Sequence, residues 1–288
     1  MLLAMACFAI EDALIKASTA SMPTGQVMMA FGAGGTVLFA AALIFQGKPL
    51  FRQDHFTRGM AIRAMFEACG RVFFVLSVAL GALSTATVIL QATPIVVVAA
   101  AWVFLGDRPT GGRWIALVLG AIGVGVVLAP SITAVSWAAL LALIGMFGFA
   151  GRDLMSRTAP SSLGIAHLGL WGFITLIVSG AAYMAWEGRW LVPLEMDDVV
   201  LLGPAVCVGV IAYASLMRAM RTGDVSAVAP FRYFRLVFGV LLGVAIFGEE
   251  LTLQTIVGAA IIVASGLLLL ADPQAFLQGL SRRLRAKP

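Results

Sequence analysis

The chain has 288 residues, of which 61% are hydrophobic and 11% charged, with a mean hydropathy of +1.02. A soluble domain of this size needs a charged exterior, so the composition excludes one and makes lipid the solvent. The net charge of +5 reads as attraction to anionic lipid headgroups and calls for no nucleic-acid partner.

A membrane-spanning helix needs about 20 mainly apolar residues. Breaks of Pro, Gly and charge divide the chain into ten such stretches, predicted near 1–20, 25–46, 58–78, 83–104, 113–129, 134–153, 161–186, 198–218, 224–247 and 253–271. The runs are continuously apolar and lack the two-residue alternation of membrane β-strands, so the predicted fold is all-α and polytopic. The opening MLLAMACFAI has no basic leader and is followed at once by Glu11, Asp12 and Lys16. It is therefore read as a retained span rather than a signal peptide, and its abrupt start leads us to expect a short native leader before it. Cys7, Cys69 and Cys207 each fall in an apolar run and are expected to be buried thiols without a disulfide. Residues 272–288 form a basic, amphipathic tail at the membrane surface or in water.

Basic residues orient the spans. With a cytoplasmic N-terminus, the inner loops and tail hold Lys48, Arg52, Arg58, Arg108, Arg113, Arg152, Arg157, Arg218, Arg221, Arg282, Arg283, Arg285 and Lys287, whereas the outer loops hold Arg189, with Lys16 at a helix end. Both termini are predicted to be cytoplasmic, in a bacterial inner membrane.

The chain also repeats itself. GALSTATVILQATPIVVVAAAWVFLGDRPT, from Gly81 to Thr110, matches GDVSAVAPFRYFRLVFGVLLGVAIFGEELT, from Gly223 to Thr252, with Ser84 on Ser226, Gly106 on Gly248 and Asp107 on Glu249. Met5, Phe8, Ala9, Asp12 and Lys16 likewise fall on Met146, Phe149, Ala150, Asp153 and Arg157. Two halves, 1–130 and 131–271, then hold five spans each, and an odd number forces the second half into the opposite orientation. Inverted repeats are the architecture of alternating-access transporters.

Ten spans, the Gly-Asp/Glu closing step followed by Thr in each half, and the Ser-containing start of spans four and nine resemble the EamA branch of the drug/metabolite transporter superfamily. The resemblance covers nearly the whole chain. Similar proteins include amino-acid exporters, drug exporters and vitamin or nucleoside-type importers. It implies a secondary transporter, foremost an exporter of amino acids and related amphipathic compounds; the alternative is an importer of a vitamin or adenosyl-type metabolite such as riboflavin or S-adenosylmethionine. One departure concerns the mid-span proline: span four has Pro94, but Leu236 stands at the aligned position of span nine, where the proline is Pro230.

Ionisable residues inside spans carry the functional signal, because hydrocarbon penalises each by at least about 2.5 to 3.5 kcal/mol. Arg63, Glu67 and Arg71 stack at i, i+4 and i+8 on span three, either as a self-satisfied ladder or with one arginine free for a substrate carboxylate. Glu11, near mid-membrane, is a candidate for a substrate ammonium or a transported proton. Arg232, Tyr233 and Arg235 in span nine suit an amphipathic zwitterion, and Gln91 and Tyr213 are polar enough to line a path. The expected substrate-binding set is thus Glu11, Glu67, Arg71, Gln91, Tyr213, Arg232, Tyr233 and Arg235. Asp12 with Lys16, and Asp153 with Arg157, are expected to be structural ion pairs at helical i, i+4 spacing. His167 is read as a surface-facing polar group.

Small residues in spans five and ten, Gly120, Gly123, Gly125, Gly258, Ala259 and Gly266, mark close helix contacts or a dimer face, so a monomer or homodimer is expected. No phosphate loop, His-Glu-x-x-His or paired aspartate motif is present, so neither metal, cofactor nor enzymatic activity is expected. A passive channel is the nearer rival, but pores are commonly ringed by like charges, and here the charges are mixed. The topology is open to a direct check: single cysteines at positions Lys48, Arg113 and Lys287 should react with impermeant reagents only from the cytoplasm, and those at Gly188 and Glu250 only from outside. Labelling of both groups from one side would end the inverted-repeat reading.

Overall fold

A computed structural model describes residues 1–105, 111–128, 136–157, 159–222, 232 and 234–270. The helices are α1 (Leu2–Ser18), α2 (Thr24–Phe45), α3 (Arg58–Leu80), α4 (Leu83–Leu90), α5 (Thr93–Leu105), α6 (Gly111–Leu128), α7 (Trp137–Arg157), α8 (Ile165–Glu187), α9 (Met196–Thr222), α10 (Phe234–Phe247) and α11 (Leu253–Leu270), with a short 3-10 turn at Gln53–Phe56. Among the described residues there is no strand. Gly106, Asp107, Thr110, Gly223, Ser226, Pro230, Tyr233 and the 272–288 tail lie outside the described residues, as does the side chain of Arg157.

Span four is the main departure from the predicted boundaries, because it is two helices. Pro94 lacks the N–H that would continue the α4 ladder, and the chain tightens before it: Gln91 and Ala92 donate to the carbonyls of Val88 and Ile89, three residues back. The Thr93 hydroxyl then donates to Leu90 O at 2.5 Å, standing in for the missing amide. At the other end of the repeat motif, Gly248 turns out of α10 in the left-handed region (φ +61°). Only glycine enters that region without a Cβ clash, and the turn sends Glu249 back toward α4.

Four helices, Thr24–Phe45, Trp137–Ser156, Ile165–Glu187 and Met196–Ala219, are long and apolar enough to cross a membrane on length and composition alone. Three other segments fall short for identifiable reasons. Helix α1 has 17 residues, α3 carries Arg58, Arg63, Glu67 and Arg71, and α4 with α5 is split. The outer surface is nonetheless apolar, with Val37, Val103, Val178 and Leu241 at least 60% exposed, as expected where lipid replaces water.

The most extensive helix contacts are α3 on α7, α2 on α8, α6 on α11 and α1 on α9, followed by α1 on α10. Every one of these pairs joins the first half to the second. Exchanging the halves, α1 with α7, α2 with α8, α3 with α9, α4–α5 with α10 and α6 with α11, maps the set onto itself: α3 on α7 becomes α9 on α1, and α5 on α7 becomes α10 on α1. One apolar cluster joins α1, α2, α8 and α9 around Phe31, Phe173 and Tyr213. A second joins α4, α5, α7 and α10 around Ile89, Met146 and Leu236.

Small residues make the close crossings. Gly123 on α6 faces Ile262 and the Gly258 carbonyl on α11, and Gly120 faces Ile95 and Ser265, whereas Gly125 meets nothing. The expectation of close helix contacts in spans five and ten is thus met within the chain at Gly120, Gly123 and Gly258. Two other expectations are corrected. Cys7 is buried, but Cys69 is half-buried and Cys207 exposed, since Cys207 faces outward on α9. His167 is 2% exposed; the 46–57 loop covers it, Pro49 O lies 3.0 Å from its Nε2, and its ring packs 5.5 Å from His55.

The tightest crossing is α3 over α7, where a Cβ on Gly148 would lie 2.3 Å from the Gly70 amide nitrogen. Gly148→Ala is therefore expected to cost about 1 to 3 kcal/mol through overpacking, read as a lowered Tm in detergent. Gly203→Ala, where nothing lies within 4 Å, should leave Tm unchanged or raised. Equal behaviour of the two variants would contradict the packing described.

Candidate functional site

The ionisable residues of α1, α3, α7 and the start of α10 meet inside the bundle. On α3, helical spacing brings Glu67 between Arg63 and Arg71. Arg63 donates from Nη2 to Glu67 Oε2 at 3.2 Å, from Nε to the Ser156 hydroxyl at 2.9 Å, and to the Tyr213 hydroxyl. Tyr213 donates in turn to Glu67 Oε2 at 3.0 Å. Arg152 on α7 donates to Glu67 Oε1 at 3.1 Å and through Nη2 to Asp153 Oδ1 at 2.9 Å. Asp153 Oδ2 accepts from Arg232 at 2.5 Å. Arg71 donates to Glu11 Oε1 at 2.6 Å, with its Nε 3.9 Å from Glu67 Oε1. Arg235 grips Asp12 Oδ2 through Nη2 and Nε at 2.6 and 3.1 Å, held between the rings of Phe8 and Phe74.

All of these side chains are at most 13% exposed. Such charges persist in a low-dielectric interior only when paired and hydrogen-bonded. The described network holds five guanidiniums, Arg63, Arg71, Arg152, Arg232 and Arg235, against four carboxylates, Glu11, Asp12, Glu67 and Asp153. One positive charge is in surplus.

A cavity of about 40 Å³ opens beside the network. Its wall carries Arg71, Arg152, Arg232 and Arg235, the polar Gln91 and Thr93 at the α4–α5 break, and the apolar Met5, Phe8, Leu90, Pro94, Phe149 and Leu216. Four guanidiniums face the cavity while their carboxylate partners stand behind them. Among the described residues no three of His, Cys, Asp and Glu gather where they could hold a metal.

Of the expected substrate-binding residues, Arg71, Gln91, Arg232 and Arg235 line this cavity. Glu11, Glu67 and Tyr213 do not; they form the layer that holds the arginines. Tyr233 lies outside the described residues. Arg152, counted from sequence among the cytoplasmic basic residues, is a wall residue 4% exposed. The signal for it was available, because Arg152 occupies in the second half the position that Glu11 holds in the first.

The expected i, i+4 pairing of Asp12 with Lys16 is corrected: Asp12 is held by Arg235, and Lys16 pairs with Glu249 at 2.5 Å. Lys16 also donates to Gly81 O at 3.2 Å and lies over the Phe247 ring. Glu249 accepts from the Leu83 and Ser84 amides at 2.7 and 2.9 Å, capping α4 from the opposite half. Asp153 is paired, with Arg152 and Arg232. Asp12 faces another helix, so a partner from the other half, Arg235, outcompetes the neighbour one turn away; the expected partner of Asp153, Arg157, has its side chain outside the described residues.

This site lies at the junction of two structurally exchangeable sets of helices within an apolar exterior, an arrangement of membrane carriers. The profile of the EamA-like transporter family matches the chain twice, over residues 1–129 and 136–271, and the chain belongs to that family, within the drug/metabolite transporter superfamily. It is 25% identical to an S-adenosylmethionine uptake transporter of Rickettsia bellii over 73% of this chain and 71% of that protein. It is 24% identical to the pseudopaline exporter CntI of Pseudomonas aeruginosa over 91% of this chain and 92% of the exporter. A riboflavin transporter of Rhizobium johnstonii is 24% identical over 76% and 72% of the two chains. A solved crystal structure shares the fold, with a TM-score of 0.66 at 16% identity over 94% of this chain and 98% of the other. The matched family and these relatives are transporters.

The layer behind the cavity has a separable role. Arg63, fully buried, holds Glu67, Tyr213 and Ser156 without touching the cavity. Arg63→Gln is expected to destabilise the fold by roughly 3 to 5 kcal/mol, as when a buried pair loses one partner, seen as lower Tm and yield in detergent. Protein that does fold should keep its apparent substrate affinity; a change in affinity with normal stability would place Arg63 in the binding site instead.

Proposed function

We propose that the protein is a secondary transporter that moves small carboxylate-bearing amphipathic metabolites, foremost amino acids, out of the cell by alternating access between two inverted five-helix halves. The observation that carries the substrate class is the cavity wall: four guanidiniums with the polar Gln91 and Thr93, no carboxylate, and apolar side chains over the rest. Guanidinium forks take a carboxylate in two parallel hydrogen bonds, and the apolar wall suits an aliphatic or aromatic side chain. The twice-matching family profile and the exchange symmetry of the helix contacts support the halves 1–130 and 131–271 and their inverted relation. The distribution of basic residues supports an inner-membrane setting with cytoplasmic termini. A cavity of about 40 Å³ holds a few water-sized spheres, so a metabolite enters only when the halves move apart. The long likeness to an exporter supports the outward direction. Uptake of a vitamin or adenosyl-type metabolite is the second reading, favoured by the likeness to uptake and riboflavin transporters at similar identity.

Purified protein in liposomes should catalyse saturable leucine counterflow without altering the leucine. The ammonium-free 4-methylpentanoate should compete and the carboxylate-free 3-methylbutylamine should not. Arg71→Gln should raise the half-saturating leucine concentration on the order of 30- to 1,000-fold, equivalent to about 2 to 4 kcal/mol. Equal competition by the amine would sink the carboxylate reading, linear flux without counterflow would favour a channel, and competition by riboflavin or S-adenosylmethionine alone would favour the second reading.

A further inference from the structure

We propose that Glu11 is a proton-accepting site governed by substrate through Arg71, so that each bound carboxylate with no ammonium of its own brings one proton with it, and the carrier is proton-coupled for such substrates. The inference rests on the carboxylate reading of the cavity. Glu11 is fully buried on α1. Its Oε1 accepts from Arg71 at 2.6 Å, while its Oε2, equally buried, has no hydrogen-bond partner. Helix α9 closes over that oxygen at Gly209, where an added Cβ would lie 3.1 Å from it.

The charged neighbours of Glu11 are otherwise engaged. Asp12, next to it on α1, is held by Arg235 from α10. Glu67, one turn from Arg71 on α3, is held by Arg63 and Arg152. Cys7 lies one turn away on α1, and α2 contributes the Phe31 ring, over which Arg71 sits at 5.8 Å. Among the described residues, Arg71 is therefore the cation on which Glu11 depends, and the same guanidinium forms part of the cavity wall.

One cation shared between a buried carboxylate and a ligand site couples the two. When a substrate carboxylate takes the Arg71 fork, the Arg71 Nη1 to Glu11 Oε1 hydrogen bond breaks. Glu11 is left as a lone anion in a low-dielectric pocket, a state that neutralises by binding a proton. The proton comes from solvent on the side to which the cavity opens and forms an O–H on Glu11. For a substrate without an ammonium the added charge sums to zero, one negative with the carboxylate and one positive with the proton; an amino acid arrives as a neutral zwitterion whose ammonium takes the proton's place beside Glu11. Release on the far side reverses each step, so proton and carboxylate travel in the same direction. An accumulated ammonium-free carboxylate leaving down its own gradient carries a proton out, and an inward proton gradient opposes that efflux.

The probe is 4-methylpentanoate, which has no ammonium to pair with Glu11. Binding to the purified wild-type protein, measured by calorimetry in buffers of different ionisation enthalpy, should take up close to one proton per ligand. Over the range in which the probe stays ionised, affinity should rise by up to about tenfold for each unit fall in pH, the linkage limit for one proton. In Glu11→Gln the proton uptake should vanish and affinity should stay level with pH, near the value wild type reaches at its acid end. Should that variant fail to fold, the wild type decides alone, by a new carboxylic-acid C=O infrared band on binding. Binding without proton uptake, or uptake that persists in Glu11→Gln, overturns the coupling while leaving the carboxylate site standing. No binding at all overturns the carboxylate reading and the coupling with it.

Discussion

Everything in this structure depends on how charge is kept in hydrocarbon. A lone guanidinium or carboxylate at mid-bundle is expelled or neutralised, so the buried ions of α1, α3 and α7 and the Arg232 and Arg235 pair must find one another across helix boundaries. That requirement fixes which faces turn inward and brings the two halves into register. Asp12 and Asp153 occupy matching positions in the repeat, and each takes an arginine from the start of α10. The segment from Arg232 to Arg235 thereby ties both halves together. A bundle built on such pairs is not stabilised by the ions as such, since replacing buried pairs with apolar residues is often neutral or favourable. The ions specify which helix sits beside which, and that is what the exchange symmetry of the contacts records.

A second polar junction stands apart from this network. Lys16, Glu249, Gly81 O and the amides of Leu83 and Ser84 form one cluster, with the lysine 18% and the glutamate 9% exposed. The first amides of a helix have no partner within it, and α4 is too short to tolerate fraying. Its cap comes from the opposite half, so the end of α10 and the start of α4 are joined by a carboxylate at a helix N-terminus, where the helix dipole favours one. A partly exposed junction of this kind separates at less expense than the buried network, which makes it the softer of the two ties between the halves.

Much of the fold was legible in the sequence because hydrophobic runs and the breaks between them are local or additive signals. The starts of α3 and α11, the Gly248 turn and the extent of α2 fell within a residue or two of their expected places. Partner choice was not legible, for a physical reason. Counting i, i+4 neighbours gave Asp12 to Lys16, but an aspartate on an inward face meets a guanidinium from another helix whose identity only the three-dimensional packing supplies. The same blindness counted Arg152 as a loop residue and His167 as a surface one. Arg152 was recoverable, since an arginine at the repeat position of a buried Glu11 is an asymmetry between otherwise matching halves. The break before Pro94 was half visible: proline marked the place, but the single-span reading missed that Thr93 and the two tightened turns would split the helix.

That asymmetry explains why a nearly symmetric scaffold has a polar site at all. If the two halves were identical, the Glu11 and Arg152 positions would bear like charges. They would either repel each other or each need a private counter-ion, and a two-fold axis through the centre would leave a neutral seam. With Glu11 on one half and Arg152 on the other, Glu67 and Arg71 of α3 bridge them, Glu67 holding Arg152 and Arg71 holding Glu11. A single helix thus presents one acid and one base, four residues apart, to the two unlike positions. The carboxylates lie on the inner side of this chain of pairs, while the arginines Arg71 and Arg152 reach the cavity. The wall acquires its positive character from the direction in which the pairs point as much as from their count.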